Sequence, residues 1–102
     1  MEPIVFSRGS ANISVQSDRD LQALARRLRS FPQFYLRVLG HTRAEGDPEA
    51  NRALALARAE STAQFLRGQG VGTDRMRTEA APARTESGEG QAVSFVVGQV
   101  PY

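Results

Sequence analysis

The chain contains no cysteine among its 102 residues, which removes disulfide frameworks, thiol catalysis and thiolate metal centres together. It contains no lysine either. All 13 basic residues are arginine, set against 11 acidic ones for a formal net charge of +2. These arginines alternate with Asp and Glu, so neither the strength of the field nor its distribution makes a nucleic-acid footprint, and no nucleic-acid partner is expected. Beside so many alanines, the arginine usage reads as the composition of a GC-rich genome. His41 is the single histidine, with no cysteine or partner carboxylate at metal-ligand spacing, and it reads as a strand-end residue hydrogen-bonded to the loop. No nucleophile–base pair, phosphate-cradling loop or metal cluster can be assembled, so no catalytic residue, cofactor or metal is expected. No run approaches the roughly 18 apolar residues of a transmembrane segment. Residues Met1 to Phe6 lack the basic and long apolar regions of an export signal. If the domain works outside the cytoplasm, its signal or anchor is expected elsewhere in a longer protein.

What is present is enough for one small two-layer domain over residues 1–102: 40% of the residues are hydrophobic and 24% charged. Ile4-Val5-Phe6 reads as a first strand, ended by Gly9-Ser10. Ser17 with Asp18 and Asp20 resembles a capping box, after which Leu21, Leu24, Ala25, Leu28 and Phe31 recur at helical spacing until Pro32. Phe34 to Leu39 reads as a second strand, and Gly40 to Gly46 as the loop that leaves it. Asp47 is a good N-cap and Pro48 fits the first helical position, so a second helix is expected from there to about Arg67, terminated by Gly68 and Gly70. Met76 to Ala80 reads as a third strand, Ala81 to Gly90 as an exposed loop and Ala92 to Val97 as a final strand apolar enough to lie inside the sheet. The order β-α-β-α-β-β predicts an α+β, two-layer sandwich with two helices on one face of a four-stranded mixed sheet.

At about 100° per residue, Asn51, Leu54, Arg58 and Phe65 fall within roughly 60° of one another on the second helix. An arginine therefore shares the stripe that Leu54 and Phe65 send toward the core. A charge there must meet an acid, satisfy carbonyls or open onto a ligand cleft.

The run Gly40-His41-Thr42-Arg43, then Gly46-Asp47-Pro48-Glu49-Ala50-Asn51 and Leu54-Ala55-Leu56-Ala57-Arg58-Ala59, resembles the signature of the OmpA-like C-terminal domain, a peptidoglycan-associating module of bacterial cell envelopes. The family commonly reads GHTD, a short Gly-containing loop, then N-x-x-L-S-x-x-R-A. Asn51, Leu54, Arg58 and Ala59 match at that spacing, whereas Arg43 replaces the aspartate and Ala55 the serine. The family's arginines before the last strand are also replaced, by Gly90-Gln91-Ala92-Val93.

The resemblance implies a non-enzymatic, periplasmic domain. Its ligand-binding residues would be Arg58, Asn51, Arg43, Thr42 and Asp47, in a cleft completed by the Arg8 to Ala11 loop. Arg58 would take the carboxylate of a peptidoglycan stem peptide, usually that of diaminopimelate, and Asn51 would brace the loop. The aspartate that Arg43 replaces helps to hold the zwitterionic end of diaminopimelate. An ammonium facing arginine instead meets like charge, so wall binding is expected to be weakened or turned toward a more anionic ligand. The alternative is an accessory module contacting other envelope proteins, fused to a periplasmic domain such as a solute-binding protein and not binding peptidoglycan.

Overall fold

Leucine spacing sets the first helix. Leu21, Leu24, Ala25 and Leu28 are all buried on one side of α1 (Val15–Ser30), while Arg26, Arg27 and Arg29 face solvent. The computed structural model describes residues 4–5, 15–43, 46–84 and 92–98. The helix begins ahead of the expected Ser17 cap, and Ser17 is already inside its first turn, 6% exposed. Phe31, expected to close the apolar stripe, falls beyond the last helical residue and is half exposed, because a residue before proline disfavours helical geometry. It packs edge-on against Phe34, ring centroids 6.1 Å apart.

The four strands are β1 (Ile4–Val5), β2 (Tyr35–Arg43), β3 (Met76–Arg84) and β4 (Ala92–Gly98), arranged in the order β1-β4-β2-β3. β4 pairs antiparallel with β1 and β2, β2 pairs parallel with β3, and the sheet is mixed as expected. β2 and β3 both outrun the sequence reading. β2 lies between two partners: β4 pairs with it as far as Gly40, and β3 carries it on to Arg43, opposite Arg84. Thr42 and Arg43 therefore end a strand and do not lie in a loop. Likewise Ala81 to Arg84 continue β3, while the remainder of the expected 81–90 loop lies outside the described residues. Pro82 is tolerated there because β3 is an edge strand, and the register shifts between His41 and Arg43 as it passes.

Alternation along β2 points Leu36, Val38 and Gly40 toward the helices and leaves Arg37, Leu39 and His41 on the other face. The helix-side residues join Leu21, Leu24, Ala25, Leu28, Ala59, Leu66, Val71 and Val93 in the core, with Phe34, Phe65, Met76 and Phe95 packed around them.

The crossover between the parallel strands is α2 (Pro48–Gly68). Its buried positions are Ala55, Arg58, Ala59, Thr62, Ala63 and Leu66, and Leu54 and Phe65 lie only half-buried at the flank. The buried stripe is thus rotated by roughly 80° from the expected one, with Arg58 on the border of both. Close approach explains the rotation: a Cβ built on Gly40 would collide with the Ala55 carbonyl oxygen and come 2.6 Å from its carbon. Only small side chains fit between α2 and β2 at that separation. The helix ends in a Schellman motif, with Gly70 N–H donating to Arg67 O and Val71 N–H to Leu66 O at 3.0 and 3.1 Å. Gly70 alone takes the left-handed conformation, φ +98°, whereas Gly68 is still helical. A 3₁₀ turn (Thr73–Arg75) follows, and Arg75 donates from Nε and Nη2 to Phe34 O, at 3.1 and 2.8 Å, and from Nη2 to Phe31 O at 2.9 Å. That guanidinium ties the start of β3 to the α1–β2 turn.

Candidate ligand-binding site

Of the predicted residues, Thr42 and Arg43 end β2, Asp47 and Asn51 open α2, and Arg58 lies further along that helix. Asp47 has the extended backbone of an N-cap, φ −74° and ψ 116°, and its Oδ1 accepts from Glu49 N–H at 3.1 Å, with Pro48 following at the first helical position. The first helical bond runs from Asn51 N–H to Asp47 O, at 2.9 Å. Gly46 sits at φ +90°, a conformation that excludes most side chains, and a Cβ there would lie 3.7 Å from Asn51 Nδ2. The Asn51 amide therefore lies over the loop's glycine, and the half-buried side chain makes polar contacts of its own.

Arg58 is two turns further along the same flank of the helix, about 10 Å away at 1.5 Å per residue. It is 2% exposed and is the largest of the fully buried side chains. Arg58 is not without partners, and burial of a guanidinium requires that its charge be met. Its own carbonyl also accepts from Thr62 Oγ1, at 2.9 Å. Thr42 and Arg43 arrive at this end as the last residues of β2. Their side chains, and the Arg8 to Ala11 loop expected to complete the cleft, lie outside the described residues.

Two polar arrangements on the open sheet face were not legible in the sequence. His41 Nε2 meets Ser94 Oγ of β4 at 2.6 Å, so the histidine is tied to the neighbouring strand and not to the loop. Its Nδ1 is buried without a hydrogen-bond partner. A serine–histidine pair needs an acid on that second nitrogen to hold a productive tautomer, and among the described residues none is placed there. The second arrangement joins Arg37 to Glu79 through Nε–Oε2 at 3.1 Å and Nη2–Oε1 at 2.8 Å, with Arg77 Nε 3.3 Å from Oε2. The hydrogen bonds from Arg37, with the charges of Arg37 and Arg77, hold the Glu79 carboxyl below its ordinary value despite partial desolvation. The sequence signal for both pairs is cross-strand register, which no single strand carries.

A groove of about 620 Å³ lies at the other end of the strands, between α1 and Val97, and takes in none of the five predicted site residues. Among the described residues, no three His, Cys, Asp or Glu side chains converge as a metal site would, and no helix is long and apolar enough to cross a membrane.

A sequence model of the OmpA family matches residues 5–92. The chain belongs to the OmpA family. This OmpA-family domain is 37% identical over 75 residues to the peptidoglycan-associated lipoprotein of Brucella melitensis, covering 74% of the chain and 45% of that protein. It is 32% identical over 76 residues to a probable lipoprotein, YiaD, of Escherichia coli, covering 74% of the chain and 35% of that protein. The chain thus spans less than half the length of these relatives. Among solved structures, the peptidoglycan-associated lipoprotein of Burkholderia pseudomallei superposes with a TM-score of 0.84 at 26% identity, covering 96% of this chain and 91% of that one. The C-terminal domain of Helicobacter pylori MotB superposes at 0.78 with 17% identity, covering 96% and 84%, a likeness of fold alone.

Proposed function

We propose that the chain is a non-enzymatic, periplasmic domain of the peptidoglycan-associating kind, one part of a longer envelope protein that carries its signal or anchor elsewhere. The observation that carries this reading is the retained frame of the site in an OmpA-family chain: the Asp47-capped helix, Asn51 over Gly46 and Arg58 on the same flank of α2. The names of the lipoprotein relatives support a wall ligand. In this reading Arg58 takes a stem-peptide carboxylate, Asn51 braces the loop, and Thr42, Arg43 and Asp47 line the approach. Guanidinium suits such a ligand because its planar fork presents paired donors to both carboxylate oxygens.

Arg43 modifies the ligand. Where the family places an aspartate against the ammonium of diaminopimelate, this chain places a cation. Attraction becomes repulsion, so ordinary wall binding is weakened and a more anionic ligand is favoured. Co-sedimentation with purified peptidoglycan sacculi at low salt tests the reading. Pelleting of the native domain that is lost in Asn51→Ala is the expected result, and no pelleting at any salt concentration overturns it.

The near-complete enclosure of Arg58, 2% exposed, favours a second reading. In it, the arginine is a structural charge and the domain is an accessory module fused to another periplasmic domain, such as a solute-binding protein, and contacts envelope proteins without binding the wall. Absence of pelleting from a folded domain, with a large loss of stability in Arg58→Ala, supports this second reading.

A further inference from the structure

The end of the molecule remote from the candidate site carries an apolar surface that this function does not use. β1 pairs with β4 only at Val93 and Ala92, so among the described residues no strand covers the outer edge of β4 from Ser94 to Gly98. Beside that edge, Leu24, Leu28, Phe31, Phe34 and Val97 line the groove of about 620 Å³. Phe31 and Val97, at 50% and 51%, are half exposed beside the buried Leu24 and Leu28. Two charges stand on the α1 side of the groove, Asp20 and Arg27. Both are exposed, and neither enters an ion pair among the described residues.

We propose that this groove seats a second copy of the same chain, related by a two-fold axis, with the two α1 helices antiparallel and Asp20 of each opposite Arg27 of the other. The spacing selects this occupant. Asp20 and Arg27 are seven residues apart, two helical turns, so they lie on one face with Ala23 and Leu24 between them. Turning one copy by 180° about an axis through that midpoint brings each aspartate to the other copy's arginine and forms both ion pairs at once. A parallel approach sets aspartate on aspartate and arginine on arginine. A foreign helix would need the same acid and base at the same interval, which a second copy carries by construction. Ala23, exposed at the midpoint, lets the helices approach closely. With a net charge of only +2, copies repel one another weakly.

The test is sedimentation equilibrium of the full chain over a range of concentrations at low salt, with three charge variants. Monomer and dimer are expected in a concentration-dependent equilibrium. Asp20→Arg alone and Arg27→Asp alone should each raise the dimer dissociation constant about tenfold or more, because each confronts like charges twice. The double exchange Asp20→Arg with Arg27→Asp should return it to within about threefold of the native value. All sites are exposed, so circular dichroism should show the native fold throughout. A native chain that stays monomeric to millimolar concentration overturns the proposal. So does a dimer indifferent to the single exchanges, or a monomer whose groove instead accepts an unrelated apolar peptide. None of these outcomes depends on peptidoglycan binding.

Discussion

The two helices lie on the same face of the sheet and solve the packing problem in opposite ways. α1 fills its side of the core with volume, burying Leu21, Leu24 and Leu28, and keeps its arginines outside. α2 fills its side by proximity, burying Ala55, Ala59 and Ala63 and lying so close to β2 that Gly40 admits no Cβ. An arginine can be enclosed on α2 because the helix is pinned: backbone touches backbone at Gly40 and Ala55, and Arg58 sits less than one turn further on. Volume-packed helices announce themselves by hydrophobic periodicity. Proximity-packed helices do not, because alanine is weakly hydrophobic and glycine carries no side chain at all.

The sharpest way to break this contrast is Gly40→Ala. The added methyl meets main-chain atoms of Ala55, which cannot swing aside as a side chain would, so either α2 or β2 must move. A loss of about 3 kcal/mol or more is expected, measured by urea denaturation, and failure to fold would agree with it. Gly68→Ala is the control on the same helix. Nothing lies within 4 Å of its added methyl, so no loss is expected, and the gain in helix propensity is at most about 1 kcal/mol. Equal stability of the two variants would show that α2 is not pinned at Gly40.

A second pair of substitutions sharpens the contrast by reversing size. Leu28→Ala empties a volume-packed position, and a loss of about 2 to 4 kcal/mol is expected from lost burial and the residual cavity. Ala59→Leu overfills a proximity-packed one, where about 1 to 3 kcal/mol is expected from strain. Calorimetric melting of both variants checks the two values. A stabilising Ala59→Leu would mean that α2 has room the structure does not show.

The same physics decides what was legible beforehand. The element order, the leucine stripe of α1, the Asp47 cap with Pro48 and the interior position of β4 follow from local chemistry, and the structure agrees with each. The core stripe of α2 was misplaced toward Leu54 and Phe65 because periodicity weighs large residues, and these two only flank the contact. The ends of β2 and β3 were cut short because pairing partners, not composition, extend a strand through Gly40 and Pro82. At the candidate site, the cap and the shared flank of Asn51 and Arg58 were legible. The depth at which Arg58 is buried was not, since it depends on the separation of α2 from the sheet. The His41–Ser94 and Arg37–Glu79 contacts required the register of strands far apart in sequence.

The start of α2 offers a test in binding rather than stability. Arg43→Asp restores the acid that the family pairs with the helix arginine, and a gain of about 1 to 3 kcal/mol in diaminopimelate affinity is expected as a repulsive contact becomes attractive. Isothermal titration of the native and variant chains at low salt checks it. Tight binding by the native chain, or no gain in a folded variant, would separate Arg43 from ligand choice.

The smallest expected effect lies on the face away from both helices, where charge rather than packing is at stake. Glu79 accepts a paired hydrogen bond from Arg37, with side-chain exposures of 25% and 35%, and its carboxyl is held below the ordinary value of 4.5, first by that bond and then by the charges of Arg37 and Arg77. A carboxyl depressed in the folded state binds fewer protons there than in the unfolded chain. It contributes stability that is fully present above the ordinary value and is lost as pH falls below 4.5 through the folded value. Solvent screening at a half-exposed pair keeps the contribution below about 1 kcal/mol. Glu79→Gln should therefore be slightly less stable than the native chain at pH 7, and the difference should shrink toward zero as pH falls into the acid range. Added salt should narrow the neutral-pH difference, since the groups are reached by solvent. Urea midpoints at pH 7 and at acid pH decide it: a difference that persists unchanged into acid would assign Glu79 a packing role and remove its charge from the account.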